Sequence, residues 1–168
     1  MPPRRLPRTA DATASGDPQA ARLAALRLLA RRDFACRELS ERLSEQGFEE
    51  ATAAGVVSEL LRDGVLDDAR YAQNYVAYHA GRGQGPLRIT AELRRSGLAA
   101  ELIEAALAAG PDWSALARKV CRAKFGLRPP DSWAERARQA RFLQYRGFSA
   151  DHIRAATDVD PDTGFSEP

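Results

Sequence analysis

The basic residues clustered between positions 113 and 146 are the ones whose type and spacing could do chemistry. Arg118, Lys119, Arg122 and Lys124 fall within WSALARKVCRAKFG, and Arg136, Arg138, Arg141 and Arg146 within SWAERARQARFLQYRG. Only Asp131 and Glu135 oppose nine basic residues there, which leaves a net charge of +7. Most charge runs are solvated helix faces, but a run so nearly of one sign is an electrostatic footprint for phosphates or for an acidic protein. Trp133, Phe142 and Tyr145 are interleaved with it. Core packing is the first reading of these rings, ahead of stacking on bases.

Other candidate groups do not converge. His79 and His152 are far apart in the chain, and no HExxH, GxSxG or Cys/His pattern accompanies them. GRGQGP has the glycines of a phosphate loop but no following Lys-Ser/Thr and no preceding strand. It reads as a flexible connection. Asp67 and Asp68 suit helix capping better than metal binding. The chain is therefore expected to bind rather than to catalyse, with no metal and no cofactor.

The elements that must position the basic residues repeat. Gly47, Gly97 and Gly147 are spaced by 50 residues, as are Leu43, Leu93 and Leu143 before them and Phe48, Leu98 and Phe148 after them. Each set marks a helix that stops at a glycine and restarts after one apolar residue. ACRELSERLSEQ, LRITAELRRSG and SWAERARQARFLQYRG precede the three turns. EEATAAGVVSELLRD, LAAELIEAALAAG and SADHIRAAT follow them. PQAARLAALRLLARR, ARYAQNYVAYHAG and WSALARKVCRAKFG supply a leading helix for each set, and strand alternation is almost absent.

The expectation is an all-α protein of three tandem three-helix units, an elongated and possibly curved array. The units cover residues 18–66, 67–110 and 111–158. Residues 1–17 form a disordered arm and residues 159–168 a flexible tail. Tyr71, Tyr75 and Tyr78 share a helix face and read as packing residues with hydroxyls reaching the surface.

Composition agrees. Of 168 residues, 44% are hydrophobic, but alanine contributes much of that, so the core should be thin and distributed. No apolar run approaches the roughly 20 residues of a membrane span, and MPPRRLPRTADATASGDP has no apolar stretch of a secretory signal. Cys36 and Cys121 stand singly and read as reduced, partly buried thiols. These features point to a cytoplasmic protein. Charge is uneven, from −7 over residues 33–68 to the +7 already noted, and such asymmetry bears on partners.

Three stretches together resemble the RecX family of regulators of the RecA recombinase. The first, GFEEATAAGVVSELLRDGVLDDARYAQNYV, carries Gly64, Leu66, Asp67, Asp68, Arg70, Tyr71 and Ala72. The second, GRGQGPLRITAELRRSGL, carries Arg82, Gly85, Ile89, Glu92, Leu93 and Gly97. RFLQYRGFSADHI carries Arg141, Phe142, Leu143, Arg146, Gly147, Phe148 and Ile153. One departure is Ala53, where the other units have Ile103 and Ile153. The resemblance covers roughly residues 20–157. It implies a cofactor-free protein that binds the RecA filament on DNA, along its groove, and restrains strand exchange and ATP hydrolysis. DNA would be reached through the filament, or weakly alone.

Partner-binding candidates on this reading are Lys119, Arg122, Lys124, Arg138, Arg141 and Arg146 in the third unit. Arg70, Arg82, Arg88, Arg94 and Arg95 are those of the second. Two rival readings are a stand-alone DNA-binding module built on the turn at Gly97 or Gly147, and a protein-only helical scaffold.

Overall fold

A computed structural model describes residues 15–157, and among these the regular structure is entirely helical. The helices are α1 (Pro18–Leu29), α2 (Cys36–Glu45), α3 (Glu50–Arg62), α4 (Asp68–Gly81), α5 (Pro86–Arg95), α6 (Ala100–Ala108), α7 (Trp113–Phe125), α8 (Trp133–Tyr145) and α9 (Ala150–Thr157). The chain divides into two compact units, one ending at Tyr71 and the other beginning at Ala72. Residues 1–14 of the expected arm and the whole expected tail lie outside the described residues. Ser15–Asp17 correct the arm's boundary. The Ser15 carbonyl accepts from the Glu49 amide at 2.8 Å, and the Asp17 carboxylate accepts from the Gln19 amide at 2.9 Å, capping α1.

The three glycine turns are built alike. Gly47, Gly97 and Gly147 have φ of 99°, 85° and 89°. After each, the next amide donates back to the carbonyl of the leucine five residues earlier: Phe48 to Leu43 (3.2 Å), Leu98 to Leu93 (3.3 Å) and Phe148 to Leu143 (3.1 Å). This 6→1 bond, with the glycine amide bonded one turn back, satisfies carbonyls that a helix end otherwise leaves open. Leu43, Leu93 and Leu143 are fully buried in equivalent places, as are Ala53, Ile103 and Ile153 in the following helices.

In the first unit, Ala21, Ala25, Phe34, Leu39, Leu43, Ala53, Val56, Leu60 and Leu66 form one core. The small Ala21 and Ala25 let α1 lie close to its neighbours, and Val56, Val57 and Leu60 supply bulk around Ala53. The two aspartates at its far end divide the capping work. Asp67 caps α4, accepting from the Arg70 amide at 2.9 Å. Asp68, expected to cap the same helix, instead accepts from the Cys36 amide at 2.8 Å and so caps α2. Residue 35, the position before α2, is alanine and has no capping side chain, so Asp68 fills the vacancy from 32 residues away.

In the second unit, α5 and α8 meet end to end. The Gly85 amide donates to the Arg146 carbonyl at 2.8 Å and the Leu87 amide to the Gly147 carbonyl at 3.0 Å. Open donors at the start of α5 thus meet open acceptors at the end of α8, with the two helix dipoles aligned favourably. The approach is backbone against backbone. A Cβ on Gly85 would lie 2.4 Å from the Gly147 carbonyl, and one on Gly147 would lie 2.4 Å from the Arg88 Cβ. GRGQGP, read as a flexible connection, is therefore a packed junction, with Gly83 and Gly85 both buried. Behind it, Ala117, Cys121, Ala140, Leu143, Phe148 and Ile153 form a core joining α7, α8 and α9.

Candidate partner-binding cleft

Four of the predicted binding residues come together in the second unit. Arg82, Lys119, Lys124 and Arg146 line a cleft of about 370 Å³ where the end of α4 faces α7 and the end of α8. Leu116, Val120 and Phe142 are among its apolar walls, and no acidic residue lines it. Local sequence explains the geometry. Lys119 is exposed on the side of α7 away from the buried Ala117 and Cys121, and Lys124 is exposed in its last turn. Arg146 follows the last turn of α8, where Gly147 reverses the chain.

Two of the cations are held in place. A terminal nitrogen of Arg146 donates to the Arg82 carbonyl at 3.2 Å, and its guanidinium lies 5.3 Å from the centre of the Phe142 ring. Arg82 donates to the Tyr78 hydroxyl at 3.0 Å and sits over the same ring. Neither contact neutralises charge. Cations at the mouth of a low-dielectric cleft focus potential toward an anion, and fixed side chains lose less entropy on binding it.

The remaining predicted residues are dispersed. Arg122 is exposed on α7, and Arg94 and Arg95 are exposed in the last turn of α5. Arg138 lies over the Phe125 ring, 5.4 Å from its centre, beside a small cavity that also contains Asp131 and Glu135. Arg141 is exposed on α8. Arg88 pairs with Glu92 at 3.1 Å, and Glu92 also accepts from the Tyr75 hydroxyl at 2.8 Å. Burial pushes the Glu92 carboxyl up, but the hydrogen bonds from Tyr75 and Arg88 outweigh it and hold the group below its usual range. In the first unit, Arg70 donates to the Val65 carbonyl at 3.0 Å, bracing the turn before α4.

The aromatic expectations need correction at two positions. Tyr71 is buried and Tyr75 half-buried, but Tyr78 is 61% exposed; its ring supports Arg82 instead of packing in a core. Tyr145 is 80% exposed, whereas Phe142, three residues earlier, packs edge-on against Phe125. Leu127, which the sequence did not single out, is also fully displayed. A second cavity, about 560 Å³ and walled by Val76, Ala77, Ala106, Pro111 and Leu116 among others, was likewise missed, because small residues on helices give little periodic signal.

The cysteines and histidines are engaged in local contacts. Burial, with the Asp68 carboxylate beside it, pushes the Cys36 thiol up to about 12, so it stays protonated at neutral pH. Burial also raises Cys121, whose thiol points at the Gln139 side-chain oxygen at 3.4 Å. His79 stacks on Tyr75 and bonds Gln84; His152 bonds the Ser149 hydroxyl and is lowered by burial. Among the described residues, no three His, Cys, Asp or Glu side chains are grouped as metal ligands, and no helix is long and apolar enough to cross a membrane.

A protein of tandem three-helix domains belongs to the class of helical-repeat proteins. Comparison with known proteins gives the family. Models of the first, second and third three-helix domains of RecX match residues 21–60, 67–107 and 112–157. The regulatory protein RecX of Halorhodospira halophila is 44% identical over 150 residues, covering 87% of this chain and 93% of its own length. That of Stenotrophomonas maltophilia (strain R551-3) is 42% identical over 139 residues, covering 82% and 85%. The crystal structure of RecX from Lactobacillus salivarius superposes with a TM-score of 0.73 at 20% identity, covering 84% of this chain and 94% of that one. The chain belongs to the RecX family of regulatory proteins.

Proposed function

We propose that this protein binds the RecA filament on DNA and restrains its recombinase and ATPase activities, acting by occupancy and not by catalysis. The observation that carries the reading is the cleft in which Arg82, Lys119, Lys124 and Arg146 converge without an opposing carboxylate. A filament of protein and DNA offers repeated anionic sites, and a cationic surface approaches them with electrostatic steering that salt screens. Arg94, Arg95, Arg122, Arg138 and Arg141 add positive charge elsewhere on the same unit and serve as outlying contacts. Arg70 and Arg88, already engaged with Val65 and Glu92, contribute mainly by holding their own turns and helices.

The family relationship supports a regulatory role, and the resemblance of the three motif stretches supplies RecA as the target. The test is a three-way binding measurement with RecA alone, single-stranded DNA alone and the assembled filament. Selective binding to the filament is the expected result. Equal binding to bare DNA would favour a stand-alone DNA-binding module, and binding to none of the three would overturn the reading.

A further inference from the structure

Two cavities of the second unit adjoin. Ala80, Gly81 and Leu116 line both the cationic cleft and the apolar cavity of about 560 Å³ beside it. The apolar end is walled by Val76, Ala77, Ala106 and Pro111, with Gln73 as its single polar side chain. Side by side, the two make a two-ended groove only as neighbours across Ala80, Gly81 and Leu116: small aliphatic walls at one end, four cations at the other.

We propose that this groove receives an extended acidic peptide segment of a protein partner, with an aliphatic side chain seated at the apolar end and carboxylates among Arg82, Lys119, Lys124 and Arg146. The proposal rests on the filament-binding reading above and assigns this groove to the protein component of that filament, not the DNA. Charge decides the cationic end: no acidic residue lines it, so a carboxylate there meets only attraction. Shape and polarity decide the other end. A nucleic-acid strand carries a phosphate at every nucleotide, and one lying along the whole groove would desolvate charge against alanine and valine walls. Strands held without base readout also use aromatic platforms, and no aromatic ring lines the apolar end. A peptide alternates apolar and charged side chains freely and satisfies both ends. The fixed guanidinium of Arg146, held by the Arg82 carbonyl and the Phe142 ring, gives the carboxylate end a preset geometry.

The test uses the full chain and a fluorescently labelled synthetic peptide with a dileucine end and a tetra-aspartate end, read by anisotropy. Ala77 is exposed and lines only the apolar end, so Ala77→Trp fills that end without altering charge. Ala77→Trp should weaken the peptide about tenfold or more, as should replacing the peptide's leucines by serine. Lys124→Glu should weaken it in a manner that depends on salt. A second measurement does not depend on how well Ala77→Trp folds. A benzoylphenylalanine photocrosslinker replaces the exposed Ala109, and the protein is irradiated on assembled RecA filaments with single-stranded DNA. Crosslinks to RecA are expected. Crosslinks to the DNA, or a peptide affinity indifferent both to Ala77→Trp and to loss of the leucines, would overturn the proposal. Failure of the wild-type chain to bind filaments at all would instead sink the filament reading, while the peptide arm tests the groove separately.

Discussion

The first repeat and the unit that begins at Ala72 share a helical design but pair their basic residues to different extents. In the first, Arg22 pairs with Asp63 (2.9 Å), Arg32 with Glu38 (2.6 Å), Arg37 with Glu41 (2.9 Å) and Arg42 with Glu45 (2.8 Å). In the second, Arg94, Arg95, Lys119, Arg122 and Lys124 make no ion pair among the described residues, although Arg88, Arg128 and Arg154 do. Exposed pairs of the first kind contribute only about 0–1 kcal/mol each to stability, so their main consequence is to neutralise a surface. The difference teaches that the repeat sets where charges sit, while the local carboxylate supply decides which are left for a partner.

A second contrast concerns the glycine turns, and it yields the largest predicted effect. Gly147 is constrained twice, by its positive φ and by the backbone of α5. Gly147→Ala should therefore unfold or severely destabilise the second unit, with strain from left-handed backbone of about 1–2 kcal/mol adding to a clash of the kind that costs about 1–3 kcal/mol or more. Gly85→Ala should act through the clash alone, since its φ of −87° suits any residue. Thermal melts of the two variants check the order. Equal stability of Gly147→Ala and wild type would mean that the α5–α8 junction is not formed in solution.

Leucine truncation sharpens the comparison of the repeats. Leu43→Ala, Leu93→Ala and Leu143→Ala should each cost about 2–5 kcal/mol, the range for well-buried leucine. Because Leu43 belongs to a different compact unit, its loss should leave hydrogen-exchange protection around Leu143 largely intact. Uniform loss of protection across the chain would show a single cooperative unit.

Capping effects are smaller. Asp68→Ala should cost about 1 kcal/mol, the value of a helix N-cap, and the loss should appear as faster amide exchange in α2, not α4. Comparable is Tyr75→Phe, which removes one hydrogen bond to Glu92 and should cost about 0.5–1.5 kcal/mol. Glu92 is held below its ordinary value, so the stability it adds is present above the usual glutamate range and is lost as pH falls through its lowered pKa. The gap between wild type and Tyr75→Phe should therefore be full at neutral pH and close in acid. Urea titrations at several pH values check this.

The legible part of the fold is the part governed by near neighbours in sequence. Gly47, Gly97 and Gly147 could be placed because helix arrest at a left-handed glycine involves only residues within five positions, and the buried leucines keep the same step. The illegible parts depend on distant residues. Nothing local marks Asp68 as the cap of α2, or Gly85 as the residue on which another helix end rests. The candidate site divides the same way. The basic character of α7 and α8 is plain in the sequence, but which cations converge depends on where α4 ends. Arg82 joins Lys119, Lys124 and Arg146 only because the α5–α8 junction draws the α4–α5 connection against α7. Tyr145 and Phe142 carry similar sequence signals, and only the packing of Phe125 and α8 separates the exposed ring from the half-buried one.

The most direct measurement is inhibition of RecA's ATPase on single-stranded DNA at two salt concentrations, comparing charge reversals in the two units. In the second, Lys119→Glu, Arg122→Glu and Lys124→Glu combined should leave helical content intact, since exposed substitutions usually shift stability by within about 0.5 kcal/mol each. That variant should inhibit poorly and with a flattened salt dependence. The matching reversal in the first unit, Arg37→Glu with Arg42→Glu, should inhibit nearly as well as wild type, because those charges are already paired at home. A folded triple variant that inhibits like wild type at both salt concentrations would contradict the account and move the binding face away from α7.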